Sequence, residues 1–314
     1  MLILRGLYSP DARHSPDTGP VALTIGNFDG VHLGHQALLK ELRTTAQARG
    51  LPAAVLIFEP HPREFFTPQQ APARLTSLRE KLELFATLGV GRVHVCRFNS
   101  AFAQMSAVDF INALHEKLRA EFVLIGDDFR FGSKRSGDFA LIEKIGLQLG
   151  FKVQAMHSVL HDGLRISSTA VRAALAEGNL RMAERYLGRN YSISGRVEHG
   201  KGLGKKLGFP TANIQLQHNR PPLSGIFVVR VQGEGVPLTQ GVASLGVRPT
   251  VEQEGKPVLE VHLFDFSREI YNKHLHVEFL HKLRDEEKYP DMETLTRQIA
   301  LDVNNAKQWF KQND

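Results

Sequence analysis

The chain has 314 residues, 42% of them hydrophobic and 23% charged, with one cysteine and a formal net charge of +6. At about 150 residues per domain this length predicts two domains, and the composition excludes a disordered protein, a collagen-like fibre and a disulfide-stapled mini-protein. The positive charge suits nucleotides and nucleic acids alike, but no block of five or six like charges indicates a nucleic-acid-binding arm.

The first half alternates short β-like runs with segments whose apolar residues recur at helical spacing. This alternation predicts an α/β fold, in which a parallel sheet is covered by helices on both faces and binds ligands beyond the carboxyl ends of its strands. The predicted strands are residues 21–25, 53–58, 93–98, 122–125 and 151–156, and the predicted helices are residues 33–48, 78–88, 110–118 and 139–149.

The pattern changes after residue 186, where strand-like runs separated by glycine and proline follow one another. A run of strands closed by one terminal helix predicts an antiparallel barrel. We therefore expect two domains, residues 1–186 and 187–314. The predicted strands of the second are residues 191–197, 226–231, 240–245, 258–266 and 274–283, and its helix is residues 292–310.

The strongest local signal is TIGNFDGVHLGH, residues 24–35, where a strand is predicted to end at Phe28 and a helix to begin near residue 33. Gly26 and Gly34 allow a close approach, and a helix N-terminus offers backbone N–H groups to phosphate. His32 and His35 are three residues apart, so their rings can lie together and donate hydrogen bonds to phosphoryl oxygens. In isolation the pair would more often be surface histidines or metal ligands, but the strand and the glycines favour a phosphate site.

A second signal is RISSTAVR, residues 165–172, in which Ser167 or Ser168 can cap a helix. Thr169 and Arg172 would then lie one turn apart, so hydroxyl and guanidinium groups would converge at a helix N-terminus. The segment predicts an anion site. The alternative is an ordinary cap beside a solvated arginine.

Two further motifs follow predicted strands of the first half. FEPHPREFF carries His61 after the second strand, and GDDFRFG carries Asp127 and Asp128 after the fourth. Both place polar and aromatic groups at the edge where an open α/β sheet binds its ligands. The two aspartates could equally be loop-capping acids.

In the second half, GKGLGKKLGFPTAN, residues 200–213, matches neither a P-loop nor a dinucleotide fingerprint, because its glycine spacing is wrong and Pro210 prevents the required helix. What remains is a basic loop, with Lys201 among its lysines, that ends in Thr211 and Asn213. Their oxygens could bind Mg²⁺ together with phosphates. The alternative is a plain turn.

The strand LEVHLFDF places Glu260, His262 and Phe264 on one face and Val261 and Leu263 on the other. A carboxylate on an open barrel face can act as general base toward an alcohol. A surface strand with one acid and one histidine is the alternative.

Cellular location is predicted from two features. Cys96, on a predicted core strand, can form neither an internal disulfide nor a thiolate cluster, which fits a reducing compartment. The longest apolar stretches are far shorter than the roughly 20 residues of a membrane helix, and the start lacks a secretory signal. We expect a cytoplasmic protein that binds neither membrane nor nucleic acid. No pattern specifies an oligomeric state.

Over nearly its whole length the chain resembles the prokaryotic bifunctional riboflavin kinase/FAD synthetase family. The motifs that carry the resemblance, in chain order, are TIGNFDGVHLGH, FEPHP, GDDFRFG, RISSTAVR, LGFPTANI, GIFVVRV, GVRPT, LEVHLFDF and VEFLHKLRDEEKY. It implies a Rossmann-like nucleotidyltransferase domain that joins FMN and ATP into FAD and pyrophosphate, followed by a flavokinase barrel that phosphorylates riboflavin to FMN.

The resemblance also implies roles for residues of the first half. Gly26, Phe28, Gly34 and the two histidines would hold the ATP phosphates during adenylyl transfer. Ser168, Thr169 and Arg172 would bind the triphosphate from the other side, while His61, Asp128 and Arg165 would line the nucleotide and flavin pocket.

In the second half, Gly208, Thr211 and Asn213 would bind ATP, the last two through Mg²⁺. Glu260 would take the proton from the ribityl hydroxyl of riboflavin.

Three alternative functions stay open for the whole chain. They are a nucleotidyltransferase with another acceptor, a nucleic-acid-binding protein and a flavin-binding protein without turnover.

Overall fold

The computed structural model describes residues 1–7, 19–157, 160–161, 163–200, 202–216, 220–247 and 257–313. Lys201 and residues 248–250 of the GVRPT motif lie outside these ranges. The chain packs into two compact units. The first unit contains residues 1–72 and 78–167, and the second contains residues 73–77 and 168–314.

The first unit is an α/β sheet domain, as predicted. Six parallel strands run in the order β1-β4-β3-β2-β5-β6, and β7 and β8 form a small antiparallel pair. The strands are β1 (Leu2–Arg5), β2 (Val21–Ile25), β3 (Ala53–Glu59), β4 (Arg92–Arg97), β5 (Ala120–Gly126), β6 (Lys152–Met156), β7 (Leu160–His161) and β8 (Leu164–Arg165). The helices are α1 (Leu33–Ala48), α2 (Pro62–Phe66), α3 (Leu78–Thr87), α4 (Ser100–Ala103), α5 (Ala107–Glu116) and α6 (Phe139–Leu149).

Helices cover both faces of this sheet because its strands present apolar side chains on both faces. Leu56 points to a core that includes Phe110 of α5 and Ile142 of α6. Val55, its neighbour in β3, points to the opposite core with Leu39 of α1 and Phe85 of α3. The doubly covered parallel sheet is therefore confirmed. Edge strand β1, in a segment where no element was predicted, pairs with β4.

The second unit is the predicted antiparallel barrel. Its six strands close in the order β10-β13-β12-β11-β14-β9, with β10 pairing back to β9. The strands are β9 (Tyr191–Glu198), β10 (Ala212–Ile214), β11 (Gly225–Gly233), β12 (Val236–Val247), β13 (Pro257–Leu263) and β14 (His274–Arg284). The helices are α7 (Ser168–Ala176), α8 (Leu180–Leu187), α9 (Leu203–Lys206) and α10 (Met292–Asn313).

Alternation along the strands separates the barrel interior from its outer face. In β13, Leu259, Val261 and Leu263 are buried inside, whereas Glu260 and His262 are half-buried on the outside. Terminal helix α10 covers part of the outer face through a cluster that includes Val303 and Phe310. Trp309 packs against this cluster.

Helices α7 and α8 pack with each other and belong to the barrel unit, where α8 contacts β9 and β14. The domain boundary near residue 186 stays a prediction. Within the described ranges, no helix combines the length with the apolar character of a bilayer-spanning segment.

Candidate active sites

Three motifs of the first unit lie side by side because β3, β2 and β5 are neighbours in the parallel sheet. FEPHP follows β3, the histidine motif follows β2, and GDDFRFG follows β5. The carboxyl ends of parallel strands meet at one edge of a sheet, where open α/β folds bind ligands. Topology therefore brings together segments that are far apart in the sequence.

The two histidines of TIGNFDGVHLGH meet at the start of α1. His32 is the N-cap residue, and its Nδ1 accepts a hydrogen bond from the backbone N–H of His35 at 3.3 Å. The two rings stack with their centroids 3.7 Å apart. Because Nδ1 of His32 accepts, the neutral ring carries its proton on Nε2, which is the donor that a phosphoryl oxygen requires.

Electrostatics keep His35 neutral. Burial holds the pKa of His35 well below its ordinary value, and repulsion from Lys81 and from a protonated His32 lowers it further. Lys81 is almost fully buried, and its Nζ donates to the backbone carbonyl of Asn27 at 3.0 Å. Sequence reasoning missed this lysine because it lies on α3, 54 positions from Asn27. A buried ammonium group behind the loop makes the site suitable for an anion.

The glycines of this motif make room for rings. A Cβ on Gly34 would lie 3.2 Å from the His32 ring, and one on Gly26 would lie 3.1 Å from the Phe28 ring.

Phe28 lies beyond the end of strand β2. The strand ends at Ile25, and Phe28 has a φ of +48°, so the predicted strand end at Phe28 is wrong. The Phe28 side chain is buried against Phe85 and the ring of His35. It therefore supports the ring of His35, and its expected place at the ATP phosphates stays a prediction.

Three polar atoms of the motif are buried without a hydrogen-bond partner among the described residues. They are Thr24 Oγ1, Asn27 Oδ1 and His35 Nδ1. A buried polar atom without a partner costs about 1–3 kcal/mol, so such a group usually meets a ligand or water. Thr24 and Asn27 were not singled out from the sequence, although both stand in the strongest motif.

The predicted pocket residues lie at the neighbouring loops. His61 caps α2 through its Nδ1, which accepts from the backbone N–H of Arg63 at 3.1 Å. Asp128 and Arg165 form an exposed ion pair, which raises the pKa of Arg165. The pair links the loop after β5 to β8. Asp127 is paired as well, with His157 at 3.1 Å.

A chain of aromatic contacts joins FEPHPREFF to GDDFRFG. Its centroid separations lie between 5.2 and 6.1 Å. Phe66, at one end, is 61% exposed, which is unusual for a phenylalanine and leaves an apolar surface open to a planar ligand. The members are Phe66, Phe65, Phe98, Phe58, Phe102, Phe110, Phe131 and Phe129.

The RISSTAVR motif spans the division between the packing units. The carbonyl oxygen of Ile166 lies 3.7 Å from the position of a Cβ on Gly34, so the start of the motif reaches the first turn of α1. Helix α7 begins at Ser168, and Thr169 and Arg172 lie on it one turn apart, as predicted. The Nε atom of Arg172 donates to the carbonyl of Ala73 at 2.6 Å, which orients the guanidinium.

In the barrel, sheet register brings the predicted kinase residues together. Asn213 of β10 lies directly opposite Glu260 of β13, and opposite Glu198 of β9 on its other side. Directly opposed residues on one face have Cβ atoms about 5 Å apart. Thr211 immediately precedes β10, and Gly208, with a φ of +87°, turns the chain into this segment. The proposed plain turn is therefore wrong for Asn213, which is a strand residue.

Sequence reasoning missed Ser244, which lies next to Glu260 on the neighbouring strand. Ser244 of β12 lies opposite Glu260, and its hydroxyl donates to Glu286 at 3.2 Å. Alternation within the predicted strand 240–245 could have identified Ser244. Glu286 belongs to VEFLHKLRDEEKY, which also contains Arg284, the partner of the buried Asp302 in an ion pair.

Comparison with known proteins gives matches to both halves. The FAD synthetase family model matches residues 14–170, and the riboflavin kinase model matches residues 187–310. A bifunctional riboflavin kinase/FMN adenylyltransferase of Escherichia coli (strain K12) is 46% identical over 311 residues, covering 99% of this chain and 98% of that protein. The enzyme of the same name from Pseudomonas fluorescens is 47% identical over 308 residues, 98% of this chain and 97% of its own length.

One solved structure is similar over almost the whole length. A protein described as a macrolide-efflux protein from Streptococcus pneumoniae has a TM-score of 0.78 and 26% identity, covering 96% of this chain and 97% of its own. This likeness shows that the two chains share both parts of the fold.

Proposed function

Because this chain belongs to the family of bifunctional riboflavin kinase/FMN adenylyltransferases, we propose that it uses two separate sites, one around His32 and His35 and one around Glu260. The enzyme phosphorylates riboflavin with ATP to FMN, then adenylylates FMN with a second ATP to FAD and pyrophosphate. A nucleotidyltransferase with another acceptor would leave the barrel unexplained.

In adenylyl transfer, a phosphate oxygen of FMN attacks the α-phosphorus of ATP and pyrophosphate leaves. Negative charge then gathers on the oxygens around the α-phosphorus and on the leaving group, and hydrogen-bond donors fixed in advance stabilise it. His32 and His35 supply ring N–H groups, with Gly26 and Gly34 leaving room for the phosphates. Ser168, Thr169 and Arg172 of the RISSTAVR motif bind the triphosphate. The three buried polar atoms without partners support a polar ligand here.

The acceptor flavin occupies the neighbouring loops. His61, Asp128 and Arg165 line the pocket with polar groups, and the aromatic chain ending at the exposed Phe66 offers a flat apolar surface for an isoalloxazine ring. The exposed ion pair between Asp128 and Arg165 can open toward the FMN phosphate, because an exposed pair contributes little stability.

In the kinase site, Glu260 takes the proton from the terminal ribityl hydroxyl. The resulting oxygen attacks the γ-phosphorus, and ADP leaves. Asn213 provides an amide oxygen opposite Glu260, and Thr211, two residues earlier, provides a hydroxyl. Both are the hard oxygen donors that Mg²⁺ prefers. When bound, Mg²⁺ neutralises phosphate charge. This assignment rests on one observation, that Asn213 and Glu260 lie opposite each other on neighbouring strands. Gly208 shapes the loop that contacts the phosphates.

Conservative substitutions test the assignment. Glu260→Gln should remove most FMN formation from riboflavin while leaving FAD formation from supplied FMN. His32→Asn keeps a capping oxygen but loses the ring donor, so it should lower FAD formation about 10²–10³-fold and leave the kinase unchanged. Glu278→Gln, the same change elsewhere on the outer barrel face, is the control. Loss of both activities in a folded single variant would contradict two separate sites.

We also propose that the enzyme works in the cytoplasm on small molecules alone and does not bind nucleic acid or membrane. Both steps consume ATP, and the single cysteine, Cys96, cannot form an internal disulfide, which fits a reducing compartment. Cell fractionation and a salt titration with a labelled oligonucleotide test this proposal, since real nucleic-acid binding would fall steeply with salt.

A further inference from the structure

His262 occupies the fourth corner of a polar square on the outer barrel face. Asn213 lies opposite Glu260 and Ala212 lies opposite Val261, so continuing the register places Thr211 beside His262. Residues two apart in a strand share a face. The square therefore consists of the two residues proposed to bind Mg-ATP, the proposed base, and one histidine without an assigned role.

The His262 ring is held by the segment that leads into β10. Its Nδ1 lies 2.8 Å from the carbonyl oxygen of Pro210. Because a carbonyl can only accept, Nδ1 must carry a proton and donate. The ring also meets the edges of two phenylalanines, Phe209 at 5.7 Å and Phe264 at 5.8 Å between centroids.

This hydrogen bond matters because it fixes the chain immediately before Thr211. Because proline has no N–H, the main chain of Pro210 can form hydrogen bonds only through its carbonyl oxygen. Strand β10 has three residues and begins only after Thr211, whose position the sheet therefore does not set directly. On the other side, the N–H of Phe209 donates to Gly204 within the basic loop at 2.8 Å.

We infer that His262 is a positioning residue of the kinase site, which holds Pro210 and thereby keeps Thr211 in place next to Asn213 and Glu260. The inference rests on the proposed roles of Thr211, Asn213 and Glu260. His262 itself acts through the chain and need not touch either substrate. Its loss loosens the segment that binds Mg-ATP and leaves the base in place.

Three substitutions in the full-length chain separate positioning from packing. In His262→Asn the amide nitrogen lies where Nδ1 of the histidine lies, so the hydrogen bond to the Pro210 carbonyl is kept. In His262→Gln, which has a longer side chain, the amide nitrogen lies where Nε2 was, so this hydrogen bond is lost. His262→Ala has no donor. We expect the KM for Mg-ATP in riboflavin phosphorylation to rise about fivefold to tenfold in the alanine and glutamine variants, as expected for one lost hydrogen bond, and less than about twofold in the asparagine variant.

Two controls accompany these measurements. FAD formation from supplied FMN, in the same preparations, should stay at the wild-type rate. His281→Asn makes the same substitution on β14, where the ring stacks on Trp309, and should leave the KM for Mg-ATP unchanged. Equal impairment of the asparagine and alanine variants, or an unchanged KM in all three, would overturn the inference.

The underlying assignment is tested separately by Glu260→Gln and Thr211→Ala. If these two variants keep full kinase activity, the proposed kinase site itself is wrong. If they lose activity while every His262 variant behaves as wild type, only the positioning role is wrong.

Discussion

Replacing Asp302 by alanine should destabilise the barrel unit strongly. The Asp302 carboxylate is only 4% exposed and accepts from Arg284 Nε at 2.9 Å and Nη2 at 2.7 Å. Gln298 donates to the same carboxylate at 3.0 Å. These bonds tie the middle of α10 to the end of β14, where the segment carrying Glu286 begins.

The expected magnitude follows from what the substitution leaves behind. Breaking a buried ion pair by removing one partner costs about 3–5 kcal/mol, because the remaining charge stays desolvated. The Arg284 side chain is 20% exposed and keeps a bond from Nη1 to the carbonyl of Asp285, so water and that carbonyl recover part of the loss. We therefore expect a decrease of about 3 kcal/mol in the free energy of unfolding.

Urea denaturation, followed by circular dichroism and by the loss of riboflavin phosphorylation, measures this decrease. The matched control is Glu293→Ala on the same helix, which removes the pair with Arg297 at 3.2 Å. Both of those side chains are more than two-thirds exposed, so that pair should contribute less than about 1 kcal/mol. Equal destabilisation by the two substitutions would refute the argument from burial.

Three further predictions concern the first unit. Gly34→Ala adds a Cβ 3.2 Å from the His32 ring, so FAD formation should fall about a hundredfold while riboflavin phosphorylation is kept. Burial and Arg92 lower the pKa of His94 to about 4, so the unfolded state binds the extra proton and this residue should contribute about 2 kcal/mol to the loss of stability between pH 7 and pH 5. In His94→Leu, urea denaturation at the two pH values should show a loss smaller by that amount, because His35 still contributes its own share. The buried Cys96 thiol, with its pKa raised to about 11, should react with a thiol reagent only after unfolding, and rapid reaction of the native protein would contradict its burial.

Local sequence signals predicted the long elements well. Helix α1 spans residues 33–48 and α6 spans residues 139–149, as their apolar spacing predicts. The short strands β1 and β10 were missed, because four and three residues are too few to show a period. Strand β10 exists because β9 and β13 hydrogen-bond to it from both sides.

By itself, the sequence determined the α/β sheet, the barrel, the family and the residues of each motif, since periodicity and motif spacing are local properties of the chain. Only the tertiary structure decided which residues meet. Asn213 and Glu260 become neighbours through strand register, and Lys81 reaches Asn27 from another helix. The buried state of Phe28 and the Pro210 contact of His262 were decided in the same way. Such contacts depend on register and packing between segments distant in the sequence, which no local pattern encodes.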